Sequence, residues 1–107
     1  MATRQSIEFD FKQAYNQAQK LDSIADNLGS LAKDKLKESM QTLSQNWKGE
    51  NADAYLVKGG TLENNISSTA TELHGIASDI RTIAQNIYNA EMAALEIAEQ
   101  RTYGSRN

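Results

Sequence analysis

Not one proline interrupts the 107 residues of this chain. Without the residue that lacks an amide donor and clashes with the preceding turn, helices can run for many turns. Glycine then marks the candidate breaks, at Gly29, Gly49, Gly59, Gly60, Gly75 and Gly104. In the first half, apolar or small residues recur at Ala14, Ala18, Leu21, Ala25, Leu28, Ala32, Leu36, Met40, Leu43 and Trp47. They step by three or four throughout, the spacing of one helix face. Between Leu28 and Met40 three steps of four follow one another, so a supercoil is expected to relax there as at a stutter. Ile24 and Leu31 widen the stripe enough to meet more than one neighbour.

The second half is more regular. Tyr55, Gly59, Leu62, Ile66, Thr69, Leu73, Ile76, Ile80, Ile83, Ile87, Ala90, Ala94 and Ile97 alternate steps of four and three, which predicts a coiled-coil seam. Ala70, Ala77, Ala84 and Ala98 flank that seam with small side chains, so a second helix can approach on an adjacent face. The larger members of the two stripes, Leu21, Leu28, Leu36, Leu43, Leu62, Ile66, Leu73, Ile76, Ile80, Ile83 and Ile87, form the expected dimer and partner seam.

Between the stripes lies Asn46-Trp47-Lys48-Gly49-Glu50-Asn51. Here Gly49 can take the left-handed conformation that ends a helix, and Asn51 can cap the next one. The expected organisation is one domain: a helix over about 7–46, a turn at 47–49, a helix over about 51–100 and a frayed tail at 101–107. Gly59 sits within the second stripe, where it reads as a point of close helix contact and not as a second turn. Folding about the turn brings together residues whose numbers sum to about 97, because both helices rise equally per residue. Phe9, Phe11 and Tyr15 then face Ile87 and Tyr88, and everything after about Ala90 is left without an internal partner. The fold class is all-α, an antiparallel two-helix hairpin. Such a hairpin covers one side of each stripe, so two of them are expected to pair into an elongated four-helix bundle.

Composition narrows the function. Fourteen acidic and eleven basic residues give a net charge of -3 without a basic block, which argues against nucleic acid as a partner. The faces are not cationic and no apolar run approaches bilayer length, which argues against a membrane partner. The first residues, Met1 to Ser6, carry no apolar signal core. Trp47 is expected to plug the closed end, with part of its indole open to a partner. Cysteine is absent and His74 is the single histidine, so thiolate chemistry is excluded and a triad or a metal site has too few donors. His74 is expected to be a surface or flanking residue. Neither catalysis nor a cofactor is expected.

Trp47-Lys48-Gly49, in a turn midway along a chain of this length between two amphipathic helices, resembles the WXG100 family, the ESAT-6-like proteins. The likeness extends over essentially the whole chain. It implies a helical-hairpin dimer exported by the type VII (ESX) secretion machinery of Gram-positive bacteria and mycobacteria, homodimeric in the Firmicutes-type branch. Such proteins act outside the cell as effectors or escort a larger toxin, here one with a helical N-terminal domain. The resemblance also implies that Trp47 and Gly49 contribute to recognition by the secretion ATPase. The family's export signal is often a tyrosine followed four residues later by an acid. Here Met92 occupies that place after Tyr88, and Glu91 lies three residues on, still on the same helix face. A cytoplasmic helical adaptor or structural subunit that is never exported is the competing expectation.

Overall fold

A computed structural model describes residues 2–104 of the chain. Those residues are helical almost throughout: α1 spans Arg4–Ser30, a π-helical turn spans Leu31–Leu36, α2 spans Lys37–Asn46 and α3 spans Glu50–Gly104. The all-α hairpin class is thus what the chain adopts.

Helix α1 begins at Arg4, earlier than the expected 7, and the cap explains why. Thr3 and Ser6 bond reciprocally, Thr3 N–H to Ser6 Oγ at 2.9 Å and Ser6 N–H to Thr3 Oγ1 at 3.1 Å, a serine-built version of the capping box. The Ile7 N–H then donates to the Thr3 carbonyl at 3.0 Å, closing the first turn. At the other end α3 continues to Gly104, so the frayed tail expected from 101 is helical through 104. Residues 105–107 lie outside the described residues.

The run of four-residue steps is absorbed by the backbone and not by the supercoil. In a regular α-helix three such steps would carry the stripe about 120° around the helix. Over Leu31–Leu36 the helix widens instead, and the Lys37 N–H reaches the Ala32 carbonyl five residues back, the π-type bond. The wider turn keeps Ala32 fully buried and Leu36 and Met40 half-buried.

The reversal also differs in detail from the expectation. Helix α2 ends at Asn46 because Trp47 is extended, at φ -133° and ψ 123°, with its N–H still bonded to the Leu43 carbonyl at 2.9 Å. Gly49, at φ +116°, opens α3 and does not close α2: its carbonyl accepts the first bond, from the Asp53 N–H at 3.0 Å. Asn51 falls inside the first turn of α3 and is not its cap.

Contacts divide the chain into two compact units. The turn unit, Leu21–Gly75, pairs the end of α1, the π-turn and α2 with the first part of α3. The terminal unit comprises Met1–Lys20 and Ile76–Asn107. In the turn unit Met40 meets Gly59 and Asp22 meets His74; in the terminal unit Phe11 meets Tyr88. The paired numbers sum to about 98 in each unit, as equal rise predicts. Gly59 is a close contact as expected, since a Cβ there would collide with the Met40 sulfur.

The core corrects the assignment of faces. Fully or nearly fully buried in the turn unit are Ala25, Ala32, Ala52 and Ala70, and in the terminal unit Ile7, Ala18, Ala77 and Ala84. Ala70, Ala77 and Ala84, expected to flank the α3 seam for an outside helix, are the internal contact. The Leu and Ile rows lie to one side. Leu21, Leu28, Leu36, Leu43, Ile66, Leu73 and Ile80 are half-buried, while Leu62, Ile76, Ile83 and Ile87 are exposed. Small side chains in heptad spacing let two helices approach closely, which pushes bulky neighbours to the margins.

Candidate functional site

At the closed end, the extended Trp47 lays its indole on Tyr55, ring centroids 5.5 Å apart and tilted 38°. The indole is 40% exposed and the tyrosine 59%. Trp47 therefore caps the turn from outside instead of plugging it, and presents an aromatic surface with a polar edge. Such half-exposed aromatics supply large contact area at small entropic cost.

The turn unit has two unlike flanks, and helix geometry sets them. Asp22 and Asp26, one turn apart on α1, share a face that points at His74 on α3. Nδ1 of His74 lies 2.7 Å from an Asp22 oxygen and Nε2 lies 3.1 Å from an Asp26 oxygen. An imidazolium donates to both carboxylates at once, whereas a neutral imidazole donates to one. The hydrogen bond that His74 donates to Asp22 is the main influence on its pKa, and with the charges of Asp26 and Asp22 it outweighs desolvation and holds the pKa above its ordinary value of 6.5. Ser67, Thr71, Lys33 and Asp34 line the same open groove. His74 is the surface residue expected, but its two partners were missed. The pairing rule places it opposite position 23, between these aspartates, so the signal was present.

On the opposite flank, Ile24, Leu28 and Leu31 of α1 and the π-turn form an apolar surface, and Leu62, Ile66 and Leu73 lie on the same side of α3. Ile24, Leu31 and Leu62 are each about half exposed, at 50%, 44% and 51%. In the terminal unit Ile76, Ile83 and Ile87 are equally open. Ile24 and Leu31 are the residues expected to widen the first stripe, and the others belong to the expected dimer and partner seam; the exposed members have little cover within one chain.

The terminal unit holds the other expected site. Phe11 packs on Tyr15 at 4.6 Å and on Tyr88 at 4.8 Å between ring centroids, so the aromatic grouping expected far from the turn forms. Phe9 is the exception, at 60% exposure on the outer face. Tyr88 and Glu91 are brought together, both half-buried, in a groove lined also by Ile7, Asp10, Phe11 and Ala84. At about 250 Å³ it is smaller than ligand pockets of roughly 300–1,000 Å³. The internal partner extends just past the expected Ala90: Glu91 lies beside Ile7 and Asp10, and Met92 is half-buried. The early start of α1 supplies the additional partner residues. Among the described residues no cluster of His, Asp or Glu is arranged to hold a metal, and no helix is long and apolar enough to cross a membrane.

Compared with protein-family models, with curated proteins and with solved structures, the chain yields no match.

Proposed function

We propose that this chain is a non-catalytic helix-binding protein of the WXG100 type, a homodimer exported by a type VII secretion machinery as an effector or as the escort of a larger toxin with a helical N-terminal domain. The observation that carries this reading is the turn. Trp47-Lys48-Gly49 joins two long helices, Gly49 uses a positive φ that glycine alone adopts without strain, and the indole stays accessible to another protein.

Two further features support it. Half-exposed Leu and Ile side chains on one flank of the turn unit favour a second hairpin as cover, completing a four-helix bundle, and helix-in-groove binding for a partner. Tyr88 and Glu91, three positions apart on one helix face, share one groove, which supports reading them as the two parts of an export signal. His74 held between two carboxylates is a poor general base, since both ring nitrogens of its imidazolium form carry protons donated to those carboxylates.

The experiment is to follow tagged protein in pellet and medium of the native host, with and without the type VII membrane ATPase and with a cytoplasmic enzyme as lysis control. Release that requires the ATPase supports export. Retention in both strains favours the second reading, a cytoplasmic helical adaptor. One observation speaks for that alternative: the Tyr88 ring is engaged with Phe11, whereas an export signal must be free for another protein to grip.

A further inference from the structure

The polar flank of the turn unit contains the chain's single histidine, and its geometry does not depend on whether the protein is exported. His74 is separated from Asp22 by 52 positions, yet both of its ring nitrogens end on carboxylates of the facing helix. We propose that His74, Asp22 and Asp26 form a pH-sensitive clasp, closed while the imidazole is protonated and released when it loses that proton.

Three features make this more than a surface ion pair. The clasp is bidentate in the sense that one ring bridges two residues a helical turn apart, so it fixes both the distance and the axial register of α3 against α1. It also spans a seam made of Ala25, Ala32 and Ala70. Alanine buries little apolar area, so flanking polar bonds carry a larger share of the pairing there than they would beside a leucine core. Finally, deprotonation does not merely remove a charge. A neutral ring keeps one N–H, and its other nitrogen then turns a lone pair toward a carboxylate, so one bond becomes a repulsion.

The surrounding charges set the direction. Asp22 and Asp26 face the ring from α1, and Lys33 and Asp34 line the same groove from the π-turn. On α3 itself Arg81 lies two turns further along that face. Carboxylates outnumber the cations nearest the ring, which favours the imidazolium. A group whose folded pKa is raised stabilises the fold fully below its unfolded value, about 6.5, and that contribution fades as pH rises through the folded value. The clasp therefore closes toward acidic pH and opens as pH rises through the raised folded value.

Because the chain has one histidine, its imidazole proton resonances report this site alone. The test is an NMR titration of the full chain and of Asp22→Asn, Asp26→Asn and the double variant, with thermal unfolding of the wild type and His74→Gln at about pH 5.5 and about pH 8.5 at fixed protein concentration. A wild-type midpoint above 6.5, lowered by each single Asn and returned close to 6.5 by both, is expected, together with a pH dependence of Tm that His74→Gln reduces. A wild-type midpoint at or below 6.5, or one that the double variant leaves in place, overturns the clasp. So does a His74→Gln protein whose Tm varies with pH as the wild type's does.

Discussion

On one flank of the alanine seam in the turn unit His74 finds Asp22 and Asp26 within the same chain; on the other, Ile24, Leu31 and Leu62 keep about half of their surface in water. The two flanks belong to the same helices and differ only in which row of side chains they carry. On the polar flank both ring nitrogens of His74 reach carboxylates across the seam. The apolar flank is left with surface that only another molecule can remove from water. Fully burying such a side chain contributes about 1.5–3 kcal/mol, so a half-exposed one forgoes roughly 1 kcal/mol. Within one chain the polar flank is complete, and the apolar flank is where the proposed partner would sit.

Charging the apolar flank should have the largest effect. Ile24→Asp with Leu31→Asp places two carboxylates per chain in a surface that the proposed dimer buries, and an unpaired buried charge is far costlier than the lost apolar contact. Association should be abolished at concentrations where the wild type is dimeric, as read by sedimentation equilibrium, while the helical circular dichroism of the separated chain persists. Unchanged mass would mean that this flank is not the interface.

Next in size is the seam between the flanks. Ala32 is fully buried in the π-turn, and Ala32→Leu inserts three carbons where the helices approach closely, a change that typically costs about 1–3 kcal/mol. Chemical denaturation should register that loss, whereas Leu31→Ala, one residue earlier and 44% exposed, should barely affect the isolated hairpin. The contrast between neighbours locates the internal face.

That contrast also shows what the sequence could and could not disclose. Periodicity was enough for two helices, the Trp47-to-Gly49 reversal, the pairing of Phe11 with Tyr88 and the close contact at Gly59. Each rests on local chemistry or on the equal rise of two helices. Which row of α3 faces inward was not legible, because Leu62, Thr69, Ile76 and Ile83 repeat every seven residues and so do Ala70, Ala77 and Ala84. Both rows fit a coiled coil, and side-chain size favoured the wrong one: close approach selects the smaller. The π-turn was visible as a break in the heptad but not as a backbone event, since spacing alone does not say whether helix or supercoil gives way. The pairing rule places His74 opposite Asp22 and Asp26, but nothing in the spacing alone distinguishes it from a solvated histidine beside an apolar stripe.

Glycine substitutions sharpen the picture at the turn, where effects of opposite sign are expected. Gly49 holds φ +116° with open space around it, so Gly49→Ala is penalised through the backbone by roughly 1–2 kcal/mol. Gly60 is helical and equally open, and Gly60→Ala should stabilise by about 0.5–1 kcal/mol. Urea midpoints of the two variants should move in opposite directions. A shift of the same sign would mean that the turn does not need its positive φ.

The smallest effect belongs to the polar flank, and its size is informative. His74 is 45% exposed and Asp26 74%, so the clasp lies in water where salt screens it, the Debye length falling from about 10 Å at 0.1 M to about 3 Å at 1 M. Raising the salt near pH 5.5 should lower the wild-type Tm relative to His74→Gln by a degree or so at most, because exposed pairs are weak. Near pH 8.5 the two proteins should respond alike, since an imidazole without its proton has no charge to screen. Apolar burial strengthens in salts that are excluded from protein surfaces, so Ile24→Asp with Leu31→Asp should blunt any gain in dimerisation that sulfate produces. The two flanks of one seam would then answer salt in opposite directions, one losing a bond to screening and the other gaining cover.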